Sequence, residues 1–545
     1  MQPLRSMLWQ RRAFLALAAF FALTQAKHYD FFCDDAFIAL RYAKNLSEHG
    51  ELAYNLGQRV EGFTSPLWVL LLAAAGRIGV PLMSAARVLG GAATILTFGA
   101  LALFWDELEP DDPWFGIVPA IALAGSAPIA AWTFGGLETP LFVALFTLGL
   151  ALVARAARRR DLRSSLYAGI TVAFCTLCRP EGATLIAIGS VAVGLTVSRK
   201  SASGWHRFLA WALPLALVVG GYELFRLRYY GYPLPNTFYV KTSGDGLWQR
   251  GTSYLAFAAS EFGWPLVCAY VLSFAYLSLG ARLPERWRPR TGQLLARSAS
   301  VASIVHLLYV ARVGGDFLDL YRFLTPLLPA AACCLTSAVL RLCSAIVGSA
   351  RFAIIACISY VLINGAYQGT MKDRATLVAE SSRAALHLEP LGWTRLYGRR
   401  WAGIGRWLAE IRTPGDSTAV GAAGALPFYA ELPNLDLFGL NDLEIARNGR
   451  IIGNRPGHQR FATMDYLLAQ KPTFVFMSPE STPPASGRLR YDRYWASQGY
   501  LPIEIRVERE LCRCDETFYH QFLVRRERAD SLRGRADVVV GSAVR

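Results

Sequence analysis

The sequence is poor in charge. Of its 545 residues, 18% are Asp, Glu, Lys or Arg and 53% are apolar, whereas a soluble globular domain carries about a quarter charged. That deficit argues against a soluble protein and toward one that lives in a bilayer. Acidic residues are the scarcer sign, 40 against 56 basic ones, for a formal net charge of +16. The basic excess is not gathered on one soluble face, which argues against nucleic-acid binding. It falls in short segments between apolar runs, at Arg155–Arg160, Arg163, Arg199–Lys200 and Arg282–Arg297. That is the positive-inside pattern of a polytopic membrane protein.

Cysteine supplies no framework. Cys175, Cys178, Cys333, Cys334, Cys343 and Cys357 lie within apolar runs, where a thiol acts as a small hydrophobe. The Cys175-x-x-Cys178 pair has no second pair at ligand spacing, against a zinc site. Cys512 and Cys514 are too close for an easy mutual bridge. No repeat period is present, and Gly421–Gly424 lacks the dinucleotide fingerprint, so it reads as a turn.

What the sequence does contain is a series of apolar runs from Ala13 to about Gly365. Each approaches the roughly 20 residues that cross a bilayer core. Arg5, Arg11 and Arg12 precede Ala13–Thr24 as in an uncleaved signal anchor. The basic loops then set a path with the N-terminus inside and the C-terminus outside, through about eleven spans. That parity requires Phe115–Trp132, interrupted by Gly125, Pro128 and Gly135-Gly136, to be re-entrant.

The expected division is a transmembrane unit, 1–367, with its first extracytoplasmic loop at 27–65. Residues 368–524 alternate helical and strand-like runs, as in a small extracytoplasmic α/β domain. Trp401–Ile411 reads as helix; Ser417–Val420, Thr473–Met477 and Phe518–Val524 read as strands. The remainder, 525–545, is charged and lacks aromatics, and reads as a disordered tail.

The first loop departs most from a span-and-turn pattern. Asp34 and Asp35 open Ala36–His49, an amphipathic helix with Phe37 and Leu40 on one face and Arg41, Lys44 and Glu48 on the other. Gly50 stops it, and the amphipathic pattern places it along the membrane surface. One Asp capping the helix is the bland reading. Two adjacent carboxylates flanked by aromatics are costly in solvation and repulsion, which points to chemistry. Such a pair can act as a general base or hold a divalent cation, Mg or Mn.

Cations and further polar groups recur on the same expected side. They are Arg59-Val60-Glu61-Gly62, Gly136-Leu137-Glu138-Thr139-Pro140, Arg179-Pro180-Glu181-Gly182, Leu234-Pro235-Asn236-Thr237-Phe238-Tyr239-Val240-Lys241 and Gly314-Gly315-Asp316…Tyr321-Arg322-Phe323. Each alone is as well explained by a cap or a snorkelling anchor. Five such clusters on one face suggest a site. In the second unit, Asp436, Asn441, Asp442 and His458 are candidates for an acceptor glycan, although a lone histidine is more often structural.

The Asp34-Asp35-Ala36-Phe37-Ile38-x-x-Arg41-Tyr42-Ala43 string, followed by Gly57-x-Arg59-Val60-Glu61-Gly62-Phe63-Thr64-Ser65-Pro66-Leu67-Trp68, resembles the GT-C superfamily of polyprenyl-phosphate-sugar glycosyltransferases. Within it the motifs are similar to the terminal β-(1→2)-arabinofuranosyltransferase family, and the resemblance runs nearly the whole chain. It implies a GT-C helical bundle with an extracytoplasmic α/β domain, in the cell inner membrane. It implies inverting transfer of arabinofuranose from a polyprenyl-phosphate donor to an extracytoplasmic glycan or glycoprotein, with Asp34 or Asp35 as base. Charge and sidedness assign Arg59, Lys241 and Arg322 to the lipid phosphate, and Glu61, Glu138 and Asn236 to sugar hydroxyls. Arg41, Arg179, Glu181, Tyr239 and Asp316 complete the expected donor site. A mannosyl or other lipid-linked-sugar transferase fits the same constellation. A lipid-linked-sugar transporter would show symmetry-related repeats and charges at mid-membrane depth; the sequence shows neither.

Overall fold

The computed structural model describes residues 2–197, 202–284, 292–347, 350–375, 388–477 and 493–541. Among them, six helices are long and apolar enough to cross a membrane: Leu82–Leu108, Thr139–Arg159, Ser203–Tyr229, Gln293–Arg312, Thr325–Ile346 and Arg351–Asp373. Two bent pairs bring the count to at most 8. The pair Pro113–Ala124 and Ala127–Thr133 turns by 68° at the interruption the sequence marks near Gly125. The pair Leu247–Phe262 and Trp264–Leu279 turns by 104° at Gly263, whose φ of +86° suits glycine and whose absent Cβ makes room for the Tyr367 ring. The expectation of about eleven spans included Pro66–Arg77, Leu162–Cys178 and Pro180–Gly194, which are apolar but shorter than a full crossing. Arg199, Lys200, Arg286, Arg288 and Arg290 lie outside the described residues.

The helix expected at Ala36–His49 runs Asp34–His49 and ends at Gly50 in the left-handed region, φ 75°. Cys33 precedes it in an extended conformation, and no side chain caps it, so neither Asp is spent on that role. It does not simply lie along a membrane surface. Its polar face is covered by the tail domain: Arg41 is buried and donates to the carbonyls of Tyr54, Pro427 and Leu432 and to Asn55 Oδ1. Lys44 pairs with Glu431. The helix is thus the wedge between the membrane helices and the tail domain.

The tail domain is a six-stranded sheet of order β2-β1-β5-β7-β6-β8. Its strands are β1 (Thr418–Val420), β2 (Asn434–Asp436), β5 (Phe474–Phe476), β6 (Tyr500–Val507), β7 (Phe518–Arg525) and β8 (Val538–Val540), while β3 (Arg450–Ile451) and β4 (Arg460–Phe461) form a separate hairpin. Strands β1, β2 and β5 run parallel, and β5 through β8 pair antiparallel. Helix Leu391–Ile411 packs Trp401 and Trp407 against the sheet side chains Phe476 and Phe522. The disordered tail expected after residue 525 is contradicted through residue 541. Helix Arg526–Leu532 is followed by β8, which pairs with β6, and Asp537 accepts a hydrogen bond from Trp407 Nε1 at 2.7 Å. The run Val538–Val540 provides the strand propensity that the missing aromatics had hidden. Cys512 and Cys514 are bridged: Arg513, at φ 56°, folds the chain back and brings their Cα atoms to 5.2 Å, within disulfide range.

Candidate active site

The parallel strands β1 and β2 end in the turns Gly421–Ala423 and Leu437–Leu440. In open α/β sheets, ligands gather beyond the carboxyl ends of parallel strands. Here that edge meets the first loop across a cavity of about 390 Å³, to which Gly421, Ala423, Phe438 and Leu440 contribute. Membrane-side loops supply Asp34, Asp35, Arg179, Glu181, Lys241, Asp316 and Arg322 to the same cavity. Seven of the residues expected from sequence therefore converge.

The two aspartates have different surroundings. Asp34 is buried, and its Oδ1 accepts the backbone N–H of Ala425 at 2.9 Å. Gly424 permits that approach, because a Cβ there would lie 2.6 Å from Asp34 Oδ2. Burial, opposed by the Ala425 N–H and reinforced by the charge on Asp35, raises the Asp34 pKa to about 7. Asp35 keeps 37% of its side-chain surface and lies 3.8 Å from Arg322 Nη2. Asp35 is the one accessible to a ligand.

Arg322 is held from below by Asp316, with Nε–Oδ2 2.6 Å and Nη2–Oδ1 3.1 Å. Burial alone would lower its pKa; Asp316 and Asp35 reverse that and keep the guanidinium charged. Arg179 bridges Glu138 at 3.1 Å and Glu181 at 2.9 Å, so most of its charge is spent within the wall. Lys241 lines the cavity and, among the described residues, has no carboxylate within ion-pair distance. It keeps accessible surface, yet desolvation by the surrounding protein and the nearby Arg322 lower its pKa. An ammonium with no ion-pair partner among the described residues, beside a guanidinium with donor capacity left, is an arrangement able to receive an anion.

Six expected donor-site residues do not line this cavity. Arg41 holds the tail domain, as above. Arg59 stacks over the Tyr229 ring at 4.7 Å. Glu61 is buried against Arg226 Nε and the Tyr222 hydroxyl, both at 2.7 Å. Glu138 supports Arg179. Asn236 donates to the carbonyls of Gly439, Leu440 and Asp442, latching the turn after β2, and Tyr239 lies under Arg447 at 4.6 Å. Sequence alone could not separate these groups from the cavity set, because both sets sit in the same motif strings.

The sequence missed Glu389, Arg455, Thr394 and Tyr397, which line the cavity from the tail domain. No motif marks them; they enter because Glu389 pairs as an isolated bridge with Leu318 and ion-pairs Arg455. Burial raises the Glu389 pKa against the pull of Arg455. Of the tail-domain candidates, His458 lines the cavity between the Phe317 and Phe438 rings, and burial lowers its pKa to about 3, so it is neutral. Asp436 spends its carboxylate on Phe438 N and on both nitrogens of Asn441, shaping the turn rather than facing a ligand. Asp442 caps helix Leu443–Asn448.

Among the described residues no group of three or more His, Cys, Asp or Glu is placed to hold a metal ion. The Asp pair does not fit the expected divalent cation: Asp34 is engaged with Ala425 N–H, Asp35 faces Arg322, and Asp316 is occupied by Arg322.

Comparison with known proteins agrees with the motif reading on the family resembled, but in sequence it extends over 54% of the chain rather than nearly the whole of it. A family model described as a domain of unknown function, DUF8728, matches residues 393–524, within the tail domain. The terminal β-(1→2)-arabinofuranosyltransferase of Mycobacterium tuberculosis is 28% identical over 323 residues, covering 54% of this chain and 50% of that protein. The enzyme of the same name from Corynebacterium glutamicum is 27% identical over 322 residues, covering 54% and 46%. The chain thus spans about half the length of the curated relatives it matches. The crystal structure of ArnT from Cupriavidus metallidurans in the apo state matches with a TM-score of 0.53 at 15% identity, over 96% of this chain and 99% of that one; this likeness concerns the fold alone. In sequence the chain is similar to terminal β-(1→2)-arabinofuranosyltransferases, and in fold it is similar to ArnT.

Proposed function

We propose that the protein is an integral-membrane glycosyltransferase that moves a sugar from a polyprenyl-phosphate donor to a hydroxyl of an extracytoplasmic glycan or glycoprotein. The observation that carries this reading is the meeting of Asp35, Lys241 and Arg322 in one cavity at the edge of the membrane helices. Asp35 takes the proton from the acceptor hydroxyl as its oxygen attacks the anomeric carbon. The bond from that carbon to the phosphate oxygen breaks, and the polyprenyl phosphate leaves with the electron pair. Lys241 and Arg322 meet its charge in a poorly hydrated site, where such contacts weigh more. Attack opposite the leaving group inverts the anomeric configuration.

Asp34 is assigned a positioning role. Its carboxylate is docked against Ala425 N–H, which fixes the backbone on which Asp35 is the next residue. Glu389, Arg455, His458 and the turns after β1 and β2 face the acceptor from the tail domain. The donor sugar is arabinofuranose on the strength of the sequence likeness, with the cavity and the tail domain on the extracytoplasmic side of the inner membrane.

Purified protein supplied with decaprenyl-phosphate arabinofuranose and an arabinan-type acceptor tests the reading. Transfer with release of decaprenyl phosphate supports it. No transfer by folded protein discards this donor–acceptor pair, and a mannosyl donor that succeeds instead replaces arabinofuranose.

A further inference from the structure

The hairpin β3–β4 exposes two adjacent isoleucines, Ile451 at 55% and Ile452 at 46%. Single exposed apolar residues need no explanation, but this pair sits on a hairpin fastened to a segment that follows a membrane-length helix and exposes further apolar side chains. The membrane-length helix Ser203–Tyr229 ends in a cluster of tyrosines, Tyr229, Tyr230 and Tyr232, the residue type enriched where hydrocarbon meets water. Leu234 and Phe238 are exposed on the segment that follows, where they also line the cavity. Trp248, also exposed, opens helix Leu247–Phe262, which turns 104° before the next apolar helix.

The hairpin is fastened to this stretch at several points. Gln459 Nε2 donates to Lys241 O at 3.2 Å, and Arg460 Nε to Ser243 Oγ at 3.1 Å. Gly244, at φ +124°, lies so close that a Cβ would meet Gly453 O at 2.8 Å. On its other flank, Arg447 lies over the Tyr232 ring at 4.1 Å. The hairpin that carries the two isoleucines is therefore fastened to the segment that follows the tyrosine cluster.

We infer that this hairpin of the tail domain is a membrane-contacting element: Ile451 and Ile452 enter the boundary between headgroups and acyl chains of the bilayer that the long helices cross. The exposed Arg450 beside them is placed for lipid phosphates. Burial of an apolar edge with a cation at the headgroups is the chemistry of interfacial anchoring. The connection between the two strands, Arg455–His458, lines the cavity. One short element then joins the lipid surface to the site, and a lipid-borne substrate passes along it without crossing water. That last consequence rests on the proposed function; the lipid contact does not.

The test makes Ile451→Cys, Ile452→Cys and, at an exposed reference position, Glu527→Cys, each in a background carrying Cys268→Ser and Cys343→Ser, which removes the exposed and half-exposed thiols among the described residues. Each is labelled with a polarity-sensitive fluorophore, and the full-length protein is reconstituted in nanodiscs with or without doxyl-labelled lipid. Positions 451 and 452 give blue-shifted emission quenched by the doxyl lipid, while 527 gives aqueous emission quenched by iodide. Aqueous emission and iodide quenching at all three positions overturns the inference. The readout is independent of transfer, so failure of the hairpin and failure of the glycosyltransferase reading are told apart.

Discussion

The polar residues of the motif-bearing loops fall into two regions with opposite fates. At the cavity, Asp35 keeps accessible surface and Lys241 has no carboxylate partner among the described residues. Arg41 and Asn236 at the junction with the tail domain, and Glu61 against the helix Ser203–Tyr229, are buried and saturated: four acceptors for Arg41, three carbonyls for Asn236, Arg226 and Tyr222 for Glu61. Both regions draw on the same sequence strings. What separates them is whether the protein itself satisfies the group. A saturated buried charge stabilises an arrangement; a group left partly unsatisfied in a cleft is the one available to a substrate.

The largest effect that would break this division is at Asp35. Asp35→Asn removes the proposed base and should lower the rate of transfer about 10²–10⁴-fold. The melting temperature should stay near wild type, because the side chain is accessible and its ion pair is long, 3.8 Å. Initial rates and thermal unfolding on the same preparation check both halves; a wild-type rate sinks the assignment.

The junction predicts the reverse signature. Arg41→Ala leaves the carbonyls of Tyr54, Pro427 and Leu432 buried without their donor, at a cost of about 3 kcal/mol. Thermal unfolding should shift down, and limited proteolysis should cut the tail domain from the membrane part sooner than in wild type. Loss of transfer without loss of stability would move Arg41 into the site and dissolve the boundary drawn here.

Lys241→Ala tests the anion receptor. Transfer should fall on the order of 10²-fold, the scale of removing one preorganised contact to a developing charge. Lys241→Arg should recover part of it, since charge is retained while geometry is not. A purely structural Lys241 would show instead a stability change that tracks the rate.

Legibility in the sequence follows the same division. Local pattern revealed the first-loop helix, its stop at Gly50, the interruption near Gly125 and the strands near 418–420, 474–476 and 518–525, because propensity, periodicity and glycine act over a few residues. The amphipathic pattern of Asp34–His49 also misled: Arg41 and Lys44 look like a solvated face, but a domain some 390 residues later covers them. For the same reason Glu389 and Arg455 carried no signal, since only tertiary contact brings them to the cavity. The Asp pair was visible as a pair. Which aspartate keeps accessible surface in the cavity was not, because it depends on Ala425 arriving from the tail domain and engaging Asp34.

That asymmetry leads to the smallest expected effect. The folded pKa of Asp34, about 7, lies above its ordinary value of 3.8. Between those values the folded state binds a proton that the unfolded state does not. The stability this group contributes is therefore complete below about pH 4 and is lost as pH rises through about 7. Asn cannot titrate, and its amide oxygen still accepts the Ala425 N–H. Asp34→Asn should match wild type near pH 4 and exceed its melting temperature by about 3 °C at pH 8, with transfer reduced less than at Asp35. If the two Asn variants instead lost transfer equally and neither changed the pH dependence of stability, the carboxylates would act as one unit. The docked group and the accessible group would then be two descriptions of a single catalytic pair.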